Sequence, residues 1–503
     1  DDEGHTPVRH PSLALDGPLA PGAPVTLTVD LRRQASPDTA GGALDLGVQD
    51  PRWEKLDLGV TLVSAGIDFD SGGRGTVTIR RNRDSVAATV RGTAHATLKA
   101  GDPVDVHAQF WDGTRCCGMA MRRFNVAAAD AAAARAPLGA EPPTTGRMAV
   151  DPDADKPDLT VYITVLDPST PGLLHWRLVT EPFDALPPKL DGFVNLGKDP
   201  EAEAAELFKQ FANLPRGDHA RAIEAFGERL WKRAPEAFRD AYWALVDHYR
   251  RPLTIQFTSD DPYLPWELMR PSRRGEMHPP LALGHAVARW IGAYQGWLRN
   301  RLPSGQLLVV APRYGTASLR LSLAEETAQA LVDSYGARTW PGTRQAMLEL
   351  LEQPPDEAVS MLYFTGHGLV NAQAAAASAI KLEQRESLSA DEAGREAVML
   401  GERHGTVVFF NACEVGATAG AIGDVGGWAG ALLGRRFRAF IAPLWAIDEE
   451  DAAQATKLLF EKVVREREPL GAALRELRLQ FGSVSPTFYS YLLFGDVTAR
   501  FRG

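Results

Sequence analysis

Cysteine is scarce in this 503-residue chain, which has only Cys116, Cys117 and Cys413. Three thiols make no disulfide framework, and such scarcity suits a reducing compartment, so a cytoplasmic protein is expected. No CxxC occurs, and the adjacent pair Cys116 and Cys117 cannot make a tetrahedral metal site alone. Long apolar runs are lacking as well. No stretch approaches about 18 apolar residues, so no membrane-spanning helix is expected. Nor is there an excess of positive charge. The net charge is −10 and the pI near 5.7, which argues against a chain-wide basic face, and direct nucleic-acid binding is not expected. No signal-peptide pattern opens the numbered sequence. It begins at Asp1 rather than Met, which leaves room for residues upstream.

What is present is ordinary globular material: 45% hydrophobic and 23% charged residues, over a length that predicts roughly two to four domains. Residues 1–128 read as all-β. Val25, Leu27, Val29 and Leu31 alternate with polar residues, as do Val104, Val106, Ala108 and Phe110. That is the period of half-buried strands. Turn signals recur at Ser71–Gly75, Arg81–Asp84 and Asp112-Gly113. Together these predict a β-sandwich with an interaction or regulatory role. His95 and His107 stand alone on strand patterns and read as packing or surface residues. Residues 129–146, rich in Ala, Pro and Thr, read as a linker.

Residues 147–300 read as strands followed by helices. Leu159, Val161, Ile163 and Val165 alternate, whereas Ala204, Leu207, Phe208 and Phe211, then Leu230, Phe238, Tyr242 and Leu245, fall at helical spacing. Residues 301–503 alternate apolar strands with helices. The predicted strands are 307–311, 360–365, 407–411, 439–444 and 491–494; the predicted helices are 323–334, 344–352, 390–398, 428–435, 449–464 and 470–481. This pattern predicts a mostly parallel sheet covered by helices on both faces. Reactive groups in such sheets gather beyond the carboxyl ends of the strands.

Two strands end in reactive side chains there: Met361-Leu-Tyr-Phe-Thr-Gly-His-Gly368 and Val407-Val-Phe-Phe-Asn-Ala-Cys-Glu414. His367 precedes Cys413 by roughly 50 residues, the order and spacing of a caspase-type Cys/His pair. A thiol is a good nucleophile only as thiolate, and an imidazole can take its proton and return it to a leaving amine. The amides of Gly368 and Cys413 are candidate donors to an oxyanion. A metal site would need further ligands, of which His404 is the one nearby candidate; no metal and no cofactor is expected.

The C-terminal part resembles the CHAT domain, a caspase-like domain of the caspase–hemoglobinase group. The resemblance rests on Leu264-Pro-Trp-Glu-Leu-Met269, Thr365-Gly-His-Gly368, Asn411-Ala-Cys-Glu414, the segment from Ala442 through Trp445 to Glu450, and Ser490-Tyr-Leu-Leu-Phe-Gly-Asp496. It spans about residues 155–503. It implies a bacterial cysteine endopeptidase with Cys413 as nucleophile and His367 as general base and acid. It also implies activation of a partner by limited proteolysis in antiphage defence or cell death, with a gasdermin-like protein or a protease proenzyme as typical substrate. A protein-interaction scaffold or pseudoprotease is the alternative. A regulatory protein could engage the N-terminal β domain. Substrate-pocket candidates are Arg313, after the first strand of the 301–503 sheet, Asp424, Trp445, Asp448 and Glu449. Val415 to Gly427, with Gly416, Gly420, Gly423, Gly426 and Gly427, reads as a mobile loop. Glu267, Glu325 and Glu326 read as structural, and Trp266 as a packing anchor.

Overall fold

The computed structural model describes residues 8–41, 43–46, 53–81, 83–127, 148–150, 154–165, 170, 172–197, 219–260, 264–292, 299–369, 378–414, 421–445 and 447–501. The linker expected at 129–146 and the helical spacing at Ala204–Phe211 lie outside them. The chain divides into two compact units. The first runs to Lys156 and is assigned the short run from Gly292; the second comprises Pro157–Ile291 and the residues from Arg299 onward.

The first unit contains a six-stranded and a five-stranded sheet among its described residues. Alternation dictates which side chains face inward. Along Pro24–Arg32 the residues alternate between buried and half-buried, and Val25, Leu27, Val29 and Leu31 are inside. They share one apolar core with Leu58, Val60, Val77, Val106, Ala108 and Phe110 of the other sheet. The turn at Asp112-Gly113 joins the antiparallel strands Pro103–Asp112 and Arg115–Asn125, with Gly113 at positive φ. Cys116 and Cys117 are buried free thiols at an irregularity of this pairing. Burial raises the Cys116 thiol well above its usual range. His107 is likewise pushed down by burial, as a packing residue would be.

The second unit is mixed α/β, built on a sheet with thirteen described strands, some parallel and some antiparallel. The sheet is continuous across residue 300. Thr254–Ser259 pairs in parallel with Ala286–Ile291, whose Arg289 pairs with Phe494 of the strand Tyr491–Phe494. The border expected at 300 is therefore bridged by backbone pairing, and the strands and helices from 159 onward belong to the same unit as the 301–503 sheet. The next strands across are Ala439–Pro443, Val407–Glu414, Val359–Leu369 and Gln306–Val310, parallel except for the antiparallel contact of Ala439–Pro443 with Tyr491–Phe494.

Both faces of the strands Val359–Leu369 and Val407–Glu414 are apolar because helices cover both. Met361, Tyr363, Val407 and Phe409 join the core under the helices Ser322–Tyr335, Glu449–Phe460 and Leu470–Phe481. On the other face Phe410 meets Trp428 of the helix Ala421–Gly434 edge-on at 4.9 Å. That helix corrects the expected glycine-rich loop, since the chain is already helical from Ala421. Tertiary cover outweighs the low helix propensity of glycine at that point. Two further expectations shift. The helix expected over 390–398 stops at Ala393, before Gly394, and a separate helix covers Leu400–His404. The helix from Glu449 passes into a wider turn over Glu461–Arg465.

Candidate active site

Parallel pairing of Val359–Leu369 with Val407–Glu414 sets His367 opposite Cys413 and Gly366 opposite Ala412. Residues in register on neighbouring strands share a face of a sheet. The positions of His367 and Cys413 therefore fall on the face of Tyr363 and Phe409, under the same helices, at the carboxyl ends of both strands. The side chain of Cys413 lies outside the described residues.

His367 is 3% exposed. Its Nε2 is 2.7 Å from the carbonyl oxygen of Leu319. A carbonyl can only accept, so Nε2 carries the proton and donates it. Nδ1 is then the lone-pair nitrogen, and it is buried without a hydrogen-bond partner among the described residues. The His367 amide donates to Tyr314 Oη at 3.0 Å, and the two rings lie 4.9 Å apart. Tyr314 and Leu319 both come from the segment that follows the strand Gln306–Val310. Pro312 closes tightly on Gly342 there: a Cβ on Gly342 would lie 2.6 Å from the Pro312 Cα.

Asn411 fixes the strand just before Cys413. Its Nδ2 donates to the Ala452 carbonyl at 2.9 Å, to Thr456 Oγ1 at 2.8 Å and to Tyr363 Oη at 3.1 Å. Its Oδ1 accepts from Tyr491 Oη at 2.6 Å. Every member of this network is buried.

The pocket candidates fare differently. Arg313 is exposed, immediately before Tyr314, and its amide donates to Glu383 Oε1 at 3.2 Å. Trp445 is buried just past the strand Ala439–Pro443. Asp424 lies on the helix Ala421–Gly434, with its side chain outside the described residues. Asp448 and Glu449 are committed elsewhere. Asp448 Oδ1 caps the helix Glu449–Phe460 through the amides of Glu450 and Asp451, at 3.0 and 3.4 Å. Glu449 Oε1 accepts the Leu323 and Ala324 amides, at 2.9 and 3.2 Å, in the first turn of the helix Ser322–Tyr335. Free amides at helix starts attract carboxylates, which accounts for these contacts. Gly368 pairs with Glu414 on one side and Ile380 on the other, and among the described residues a Cβ there would meet only Ala412, at 3.8 Å.

Glu267 and Trp266 have buried structural contacts. Glu267 forms a buried ion pair with Arg289, whose Nη2 also donates to the Leu264 carbonyl at 2.9 Å. Trp266 packs edge-on against Trp176 at 4.8 Å. His404 Nδ1 accepts the Val359 amide at 3.2 Å, an ordinary structural bond. Sequence reasoning missed Tyr314 and the Leu319 carbonyl. An aromatic next to the flagged Arg313 was a usable signal for the first, whereas a backbone carbonyl leaves no trace in sequence.

The site thus consists of a mixed α/β sheet with a histidine and a cysteine at adjacent strand ends. The CHAT domain family matches residues 230–489, just over half of the chain, and the chain belongs to that family of caspase-like proteins. Structural similarity to separase of Saccharomyces cerevisiae, solved in complex with securin, is distant. One separase chain aligns at 9% identity and a TM-score of 0.37, covering 68% of this chain and 30% of its own. A second aligns at 10% and 0.31, covering 54% and 18%. This chain thus spans less than a third of either separase chain. No curated protein matches.

Proposed function

We propose that the protein is a cysteine endopeptidase in which Cys413 is the nucleophile and His367 the general base and acid. One observation carries the reading: the imidazole donates Nε2–H to the Leu319 carbonyl and keeps a buried Nδ1 with no partner among the described residues, at the position in register with Cys413. That tautomer is the one needed. Nδ1 takes the thiol proton, and the thiolate attacks the scissile carbonyl to form a C–S bond. The imidazolium passes its proton to the leaving amine as the C–N bond breaks. Water, deprotonated by the same Nδ1, then hydrolyses the thioester and releases the thiol. The Leu319 carbonyl orients the ring and stabilises the imidazolium, the part that a carboxylate plays in other triads. The amides of Gly368 and Cys413 are proposed as oxyanion donors. The lack of a side chain at Gly368 favours this, because a substrate carbonyl can approach its backbone without meeting a Cβ of that residue.

Arg313, exposed beside Tyr314, is the proposed contact for an acidic substrate side chain, and Trp445 a proposed pocket wall. Limited cleavage of a partner protein in a defence or cell-death pathway is proposed from the family membership; a binding role for the first unit, which lies outside the matched residues, is proposed from its two-sheet β architecture. Cytoplasmic placement is proposed from the scarcity of cysteine, three residues in the chain. No helix among the described residues is long and apolar enough to cross a membrane.

The reading is tested by labelling with a peptidyl acyloxymethyl ketone, followed by peptide mapping. One adduct is expected, on Cys413, with labelling at least ~10²-fold slower in His367→Ala. Equal labelling of that variant would remove His367 from the mechanism.

A further inference from the structure

We propose that Tyr314 is the positioning residue of this site, and that its hydroxyl sets the height and tilt of His367. This rests on the dyad reading above. The strand Val359–Leu369 is paired on one side, without interruption from Met361 to Gly368, by Val407–Glu414. Its other side changes partner. Gln306–Val310 stops at the pair Val310 and Phe364, and Ala379–Lys381 begins at the pair Gly368 and Ile380. The residues between, Thr365 to His367, have no paired strand residue on that side among the described residues. Tyr314 fills the interval. Its hydroxyl accepts the His367 amide at 3.0 Å and donates to the Lys381 carbonyl at 3.1 Å. One oxygen thus joins the histidine's own backbone to the strand that takes over, in place of a missing ladder bond.

Three further features make this a built contact. The Tyr314 ring lies against the imidazole at 4.9 Å and 47°. The same segment delivers the Leu319 carbonyl to Nε2, so one stretch of chain holds the histidine by its amide, its ring face and its far nitrogen. Residue 366 must be glycine for this to close, because a Cβ there would stand 2.6 Å from Tyr314 Oη. Without the hydroxyl, the His367 amide loses its partner and the imidazole loses a fixed distance from the neighbouring strand. A misplacement of about 1 Å can cost on the order of 10²-fold in a catalytic step.

The test uses the full-length protein and iodoacetamide, so no natural substrate is needed. Alkylation of Cys413 is followed by intact mass from about pH 5 to pH 9, with Cys413→Ala reporting any background from the other thiols. Four proteins are compared: wild type, His367→Ala, Tyr314→Phe and Cys413→Ala. Wild type should react well at about pH 6, where an unassisted thiol is mostly protonated. Tyr314→Phe keeps the ring and loses only the hydroxyl. Its rate at that pH should fall by roughly tenfold, while the plateau at high pH stays unchanged. A variant that had merely loosened the fold would raise or scatter the whole profile instead. Amide exchange over Thr365–Leu369, read by mass spectrometry, should also quicken in Tyr314→Phe, and it reports on the hydrogen bond even if the variant melts early. If His367→Ala shifts the profile and Tyr314→Phe changes neither it nor the exchange, the positioning role is wrong and the dyad stands. If His367→Ala leaves the profile as in wild type, both fall.

Discussion

Asn411 shows at residue scale why a polar side chain belongs inside an apolar strand. Its two amide protons are shared among Ala452, Thr456 and Tyr363 and its oxygen accepts from Tyr491, so both ends of the buried amide are matched. Asn411→Ala would orphan several of them at once, at a cost of about 2–4 kcal/mol. Equilibrium urea unfolding of the variant should show a clearly lower midpoint with an unchanged slope, and a midpoint equal to wild type would mean that water replaces the network. The sequence shows Asn411 only as part of a motif. Its structural office depends on Thr456 and Tyr491, which are far away in the chain and become neighbours only through the sheet. His367 and Cys413 were legible for the opposite reason. Each ends an uninterrupted apolar run, and strand order in such sheets brings those ends together.

At the scale of the element, long runs were read well and short ones poorly. The helices Arg344–Glu352 and Leu470–Phe481 and the strand Tyr491–Phe494 have the bounds that their periodicity indicates. Thr343 caps the first of these, its side chain accepting the Ala346 amide at 3.3 Å. The hairpin of Ala379–Lys381 and Ser387–Ser389 was not foreseen, because three-residue strands carry too few positions to display alternation. The acids at 448 and 449 have capping contacts that the sequence did not separate from a pocket role, because capping and substrate binding call for the same side chains. Asp448→Ala and Glu449→Ala should each lower stability by about 1 kcal/mol. Neither should alter the ranking of peptide substrates at the residue before the cleaved bond. A changed ranking in either variant would return that acid to the pocket.

For the whole molecule, an apolar core in each unit matches the two regimes of pattern in the sequence. The first alternates with period two and turns often; the second mixes apolar strands with helices. The sheet's continuity past residue 300 was not legible, because a single parallel pair, Arg289 with Phe494, makes the join between Ala286–Ile291 and Tyr491–Phe494. We propose that residues 157–503 fold as an independent unit. A fragment of that span should show a single cooperative thermal transition and keep the iodoacetamide reactivity of Cys413. A fragment that stays unfolded would show that the first unit completes the second.

The account stands most directly on proteolysis itself. A positional-scanning peptide library, cleaved by wild type and by matched preparations of Cys413→Ala and His367→Ala, measures it. The expected result is a defined cleavage preference in wild type. Both variants should lose it by at least ~10³-fold while their melting temperatures stay near that of wild type, and the double variant should be no worse than either single one. Cleavage that survives in Cys413→Ala, or a wild-type protein that cuts nothing in the library even after Cys413 is shown to be reduced and reactive, would contradict it.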